Sequence, residues 1–173
     1  TSKSPLNPID DYGWGKVEME ETFKSSKHRV TALRCSSVQG VGLDGLPRGV
    51  VGVFAKQFHE RRILNIMGDG LATKDLIHVE NLVSLLIKLA TIDAPETDVF
   101  LPVGGGSPLT VTRLTELFMF GTDCKTETIE PANFELSGSV DNSEIMSYID
   151  WIPTWSIENM IEESLNATRG ATQ

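Results

Sequence analysis

Two short stretches constrain this chain more than anything else in it: RVTALRCSS at 29–37 and VFLPV at 99–103. Both carry the β-branched and apolar residues of strands buried in a parallel sheet. A parallel strand left without neighbours exposes unpaired backbone and an apolar edge. The other strand-like segments are few and short. The sequence therefore predicts a sheet that is completed by polypeptide outside these 173 residues.

The remaining segments alternate between the two periodicities. A Pro-, Asn- and Asp-bearing opening, Ser2 to Asp11, leads into a helix over Tyr12–Lys27. After the first strand, Gly40, Gly42, Gly45 and Pro47 predict an irregular loop, and Gly49–Arg62 a second helix. Ile63–Met67 reads as a strand ending at the turn Gly68-Asp69-Gly70, and Leu76–Val79 as a strand running into the helix Glu80–Thr91. In that helix Leu82, Leu85, Leu86 and Leu89 recur at three- and four-residue spacing, which predicts one inward face. Gly104-Gly105-Gly106 follows the 99–103 strand, and Thr110 is placed to cap a helix over Val111–Phe120 with Leu114, Leu117 and Phe118 inside. A short strand is expected at Ile129. Asp141 and Glu144 have capping-box spacing. Ser156 should cap a last helix with Ile157, Ile161 and Leu165 on one face, and Thr168 to Gln173 should fray. Strand and helix alternate, so the class is α/β.

Charge excludes some functions. The formal net charge is −9, without the clustered Lys and Arg that a nucleic-acid backbone requires. No apolar run is long enough to cross a bilayer. Cys35 and Cys124 stand far apart with no CxxC spacing, and His28, His59 and His78 are scattered, so no metal site is expected and the cytoplasm is the expected compartment. The five methionines are expected to fill core gaps. The chain begins at Thr1, and its first structured segment reads as the middle of a longer protein.

Chemistry enters at Tyr12-Gly13-Trp14-Gly15-Lys16. Four-residue spacing on a helix brings a phenol and an ammonium to one face. An unperturbed tyrosine, with a pKa of about 10, is a poor proton acceptor at neutral pH. A nearby cation favours the phenolate and makes it a usable acid or base. Alone, the spacing is better explained by an ordinary helix start with an exposed tyrosine and a solvated lysine. His78, in an apolar run, reads as a hydrogen-bonded structural residue, and Trp151 and Trp155 as packing for the last helix.

The surroundings of that pair carry a resemblance. Ser4-Pro5-Leu6-Asn7-Pro8, Asp11 to Lys16 and Glu20 resemble the P-x-NP…YG-x-(S/G)-K…E segment of extended short-chain dehydrogenases/reductases. Leu33-Arg34 and the glycines after it, Gly68-Asp69-Gly70, and Lys74-Asp75-Leu76-Ile77-His78-Val79-Glu80-Asn81-Leu82 resemble that family's later landmarks in the same order. Val103 to Ser107 with Thr110, then Asp141-Asn142-Ser143, Trp151-Ile152-Pro153 and Ser156-Ile157-Glu158 resemble its closing segments. The chain is similar to the nucleotide-sugar epimerase/dehydratase group, over its C-terminal half only.

That resemblance implies a Rossmann-type fold, with residues 1–45 as the end of the dinucleotide domain. Residues 46–173 would be mainly a substrate lobe, and strand 99–103 would return to the Rossmann sheet. It implies NAD as cofactor, with NADP the alternative, a nucleotide-sugar substrate and a homodimer. Tyr12 would be the catalytic acid/base and Lys16 would hold the nicotinamide ribose. Val38 would lie by the cofactor, with Ser37 and Lys74 by the substrate, Lys74 at its pyrophosphate. The chain departs from the pattern where Ser37 replaces an asparagine, Val41 a proline and Lys74 an arginine. Its glycine turn at 104–106 lacks GxGxxG spacing, so it reads as a turn, and the family's cofactor-binding half is expected before residue 1. The competing readings are a non-catalytic module that binds a nucleotide-sugar or a protein, and a reductase of a non-sugar carbonyl.

Overall fold

The computed structural model describes residues 1–93, 95–130 and 136–170. The two stretches that looked like buried parallel strands pair with each other. β1 (Thr31–Cys35) runs parallel to β7 (Val99–Val103), in register from Thr31 opposite Val99 to Cys35 opposite Val103. In chain order the other elements are α1 (Asp11–Lys24), β2 (Ser37–Val41), β3 (Pro47–Arg48), α2 (Gly49–Arg61), β4 (Ile63–Met67), β5 (Thr73–Lys74), β6 (Leu76–His78) and α3 (Val79–Leu89). After β7 come β8 (Leu109–Thr110), α4 (Val111–Met119), β9 (Lys125–Ile129), α5 (Ser143–Tyr148) and α6 (Ile157–Gly170). β2 lies between antiparallel β3 and parallel β6, β4 is parallel to β9, and β5 is antiparallel to β8.

Apolar periodicity explains the packed part. Val51, Phe54, Ala55 and Phe58 of α2 meet Leu64 and Ile66 of β4, Val111, Leu114 and Phe118 of α4, and Ile157, Met160 and Ile161 of α6 in one core. A second core joins Ile77, Leu85, Leu101, Val103, Ile145 and Trp151, and so ties β6, α3, β7 and α5 together. The caps at Thr110 and Ser156 form as expected: their hydroxyls accept the Arg113 amide at 3.1 Å and the Asn159 amide at 3.2 Å.

Five expectations are corrected. The loop expected after residue 37 begins with strand β2, because the chain changes partners at one residue. The Ser36 amide donates to the Val103 carbonyl at 2.8 Å and the Ser37 amide to the Asp75 carbonyl at 3.1 Å. Gly40 (φ +134°) is a close-approach glycine within this strand: a Cβ there would lie 2.7 Å from Val79 Cγ1. Leu86 is exposed, and the inward face of α3 is Leu85 flanked by half-buried Leu82 and Leu89. The Asp141–Glu144 capping box does not close, because Glu144 takes the Ser2 amide instead, at 3.0 Å. Met160 and the partly buried Met119 belong to the core, but Met19, Met67 and Met146 are exposed. At the end of the chain α6 continues through Gly170, and 171–173 lie outside the described residues.

Candidate active site

Helix α1 starts where Asp10, in an extended conformation, accepts the Gly13 amide at 2.7 Å. It then presents Tyr12, Lys16, Met19 and Phe23 along one stripe, at offsets of four, seven and eleven residues. The Lys16 ammonium stands over the Tyr12 ring, 5.1 Å from its centroid. Tyr12 is 74% exposed, and Met19 and Phe23 are each 45% exposed. The phenol and the ammonium are therefore side by side, as the spacing predicts, on a helix face that this chain leaves open. No residue of α1 is buried.

The flank of α1 beside this stripe is held by charge. The Arg34 guanidinium of β1 donates to both oxygens of Glu20, at 2.8 and 2.7 Å. Hydrogen bonding from Arg34 holds the Glu20 carboxyl below the ordinary glutamate range, against a smaller opposing effect of burial. The same contact raises Arg34. The Phe100 ring of β7 lies beneath both the Arg34 guanidinium (5.5 Å) and the Lys24 ammonium (5.1 Å).

Ser37, Val38 and Lys74 form a second group, built by strand pairing. Ser37 lies opposite Leu76 and Val38 opposite Ile77, so both stand beside the segment that carries Lys74. Ser37 and Val38 are exposed. Lys74 donates to the Leu136 carbonyl at 2.7 Å. Between Cys35 and Ser37 lies the switch point where the chain leaves β7 and joins β6.

The switch point is organised by residues that the sequence did not single out as a site. The buried Asp75 carboxylate accepts the Gly105 amide at 2.7 Å and the Val140 amide at 2.8 Å. Asn142 accepts the Gly104 amide at 2.8 Å and donates to its carbonyl at 2.9 Å. A Cβ at Gly105 would stand 1.8 Å from the Leu76 carbonyl oxygen, so only glycine fits. Two amides of the 104–106 turn are thus already bonded within the chain, which agrees with reading it as a turn and not a phosphate cradle. Buried Gln39 accepts the Val51 amide at 3.1 Å and so caps α2, whose N-cap residue Arg48 makes no side-chain capping bond.

His78 is structural, as expected. It is fully buried, stacks on Trp155 with centroids 3.6 Å apart, and bonds Glu163 at 2.9 Å through Nε2. Its Nδ1 accepts the Glu80 amide at 3.2 Å. Among the described residues no group of three His, Cys, Asp or Glu side chains could hold a metal ion. No helix among them is long and apolar enough to cross a membrane.

Residues 1–100, which contain α1, the switch strand and Lys74, match the family described as NAD dependent epimerase/dehydratase. The chain belongs to that family. A dTDP-L-rhamnose 4-epimerase of Burkholderia thailandensis is 21% identical over 165 residues, 90% of this chain and 45% of that protein. A UDP-glucose 4-epimerase of Mycolicibacterium smegmatis is 25% identical, over 98% of this chain and 56% of its own length. The chain thus spans about half the length of the curated relatives it matches. The fold matches an NAD-dependent NDP-hexosamine 5,6-dehydratase of tunicamycin biosynthesis at a TM-score of 0.85, with 21% identity, over 98% of this chain and 57% of that one. It also matches the Thermotoga maritima UDP-glucose 4-epimerase solved with UDP-glucose at 0.80, with 24% identity, over 96% and 56%. The epimerase/dehydratase chain described here is therefore a Rossmann-type α/β fold in which β1 and β7 lie side by side.

Proposed function

We propose that this chain supplies the proton-transfer pair and the substrate lobe of an NAD-dependent nucleotide-sugar epimerase or dehydratase. In this reading the glycine-rich cofactor turn comes from another stretch of polypeptide. The observation that carries it is the Lys16 ammonium held over the Tyr12 ring on an open face of α1, in a member of this family.

Tyr12 and Lys16 fit the ribose end of a nicotinamide cofactor, because a phenol and an ammonium lie together and uncovered. The pyrophosphate end is not provided for by the 104–106 turn, since the Gly104 and Gly105 amides are bonded to Asn142 and Asp75. The cofactor when bound supplies a hydride acceptor for the sugar carbinol, NAD by family and NADP as the alternative. Tyr12 takes the hydroxyl proton of the sugar as the hydride leaves, and returns it when the carbonyl is reduced. Lys16 stabilises the phenolate that this requires. Ser37 and Val38 line the reacting end, and Lys74, moving off the Leu136 carbonyl, meets the substrate pyrophosphate as a point charge. The working assembly is a cytoplasmic homodimer, with residues 1–45 and β7 completing the dinucleotide domain.

A second reading, a module that binds a nucleotide-sugar without turning it over, draws on Ser37 and Val41 standing where related enzymes carry asparagine and proline. One experiment separates the two. The chain joined to a glycine-rich NAD-binding segment is incubated with a panel of UDP- and dTDP-hexoses, and the products are resolved by chromatography. An epimer or a dehydrated keto sugar supports the enzyme. Retention of NAD and sugar nucleotide without product leaves the binding module.

A further inference from the structure

A proton-transfer pair must sit within a fraction of an ångström of its target, yet it rides on a helix that buries nothing. The sheet-facing side of α1 offers only the half-buried Gly13 and Val17 besides Glu20. The Lys24–Glu21 pair is internal to the helix and exposed, so it fastens α1 to nothing. What remains is the Lys24 ammonium over the Phe100 ring of β7 at 5.1 Å, a point charge on a flexible stem, and the two-pronged Arg34–Glu20 contact, with side chains only 24% and 13% exposed.

We propose that Arg34 and Glu20 are positioning residues: their ion pair fixes where α1 lies on the sheet, and through it the reach of Tyr12 and Lys16. This rests on the assignment of Tyr12 and Lys16 above. A planar guanidinium gripping both carboxylate oxygens fixes orientation as well as distance. Glu20 lies on the same rigid rod as the reacting groups, about 6 Å along the axis from Lys16 and about 12 Å from Tyr12. A tilt of about 10° at Glu20 would carry Tyr12 some 2 Å, about twice the misplacement that costs an enzyme roughly two orders of magnitude in rate. The same guanidinium donates to the Ser2 carbonyl at 3.3 Å, and Glu144 of α5 holds the Ser2 amide at 3.0 Å. The segment that feeds α1 is thereby fastened at the same point as the helix.

The test uses Glu20→Gln, Arg34→Lys and the reversed pair, Glu20→Arg with Arg34→Glu. In the 173-residue chain, amide exchange by NMR should quicken in α1 by about tenfold in Glu20→Gln while α6 is unchanged. Cross-peaks between the Tyr12 ring and the Lys16 side chain should lose their order with it. The reversed pair should recover most of the protection, and Arg34→Lys only part, because it keeps the charge without the fork. In the chain joined to its cofactor-binding segment, Glu20→Gln should lower kcat on the turned-over sugar nucleotide by about tenfold or more, with KM within about twofold. Unchanged exchange in α1, or loss spread evenly over α1 and α6, would overturn the proposal. So would a quickened α1 with undiminished kcat. An unmodified enzyme that turns over no sugar nucleotide would count against the functional reading, and the exchange comparison would still decide whether the pair holds the helix.

Discussion

Helices α1 and α6 are each 14 residues long, capped at their starts by Asp10 and Ser156, and held in opposite ways. α6 buries Ile157, Met160, Ile161 and Ser164 against α2 and its neighbours. α1 buries nothing, and its main bond to the sheet is one ion pair. The difference teaches which part of the chain is packed by its own apolar residues and which part is not. A helix that can hide its apolar stripe packs by the hydrophobic effect and tolerates the loss of a charge. A helix whose Met19 and Phe23 stay in water is either a surface ornament or half of an interface, and this one carries the only YxxxK in the sequence.

The comparison predicts a large asymmetry in mutational cost. Met160→Ala removes a side chain only 1% exposed and should cost about 2–5 kcal/mol in chemical denaturation of the isolated chain. A cost below about 1 kcal/mol would mean that α6 is not packed as described. Gly105→Ala comes next, at the joint between β6 and β7, where the added methyl meets backbone and should cost about 3 kcal/mol. Wild-type stability in that variant would deny the tight crossing.

Acid should then loosen α1 before α6. The folded value of Glu20 is lowered, chiefly by its hydrogen bonds to Arg34 and further by the charges of Arg34 and Lys24. Its contribution to stability is therefore complete above the unfolded value, about 4.3, and is lost as pH falls through the lower folded one. Glu144, also lowered by its bond to Ser2, releases the leading segment in the same direction. Amide exchange followed between pH 6 and about pH 3 should show protection in α1 declining first. Simultaneous loss in both helices would contradict the comparison. The smallest effect is expected for Phe23→Ala, within about 0.5 kcal/mol in the isolated chain. The same change should cost more once a cofactor-binding segment covers the stripe, and equal costs in both settings would make α1 a plain surface helix.

The packed region was the legible one. α2, α4 and α6 announce themselves because their apolar residues recur at helical spacing, and β4 because it ends at a glycine turn. β2 was not legible, since its existence depends on Ser36 and Ser37 finding different carbonyl partners, Val103 and Asp75, distant in sequence. Leu86 misled because periodicity shows which residues share a face but not whether anything covers it. At the candidate site, the Tyr12–Lys16 proximity follows from local spacing and was readable. Asp75, Asn142 and Gln39 act on backbone amides brought in by the fold, for which spacing gives no sign. Glu20 and Arg34 stand 14 residues apart on different elements, and only the folding of α1 back onto β1 brings them together.

The most direct measurement is turnover by Tyr12→Phe in the chain joined to a cofactor-binding segment, with UDP affinity followed in parallel by calorimetry. Loss of only the phenolic proton should lower kcat by at least about 100-fold and leave UDP binding nearly unchanged. Turnover within about threefold of the unmodified enzyme would show that proton transfer is performed elsewhere.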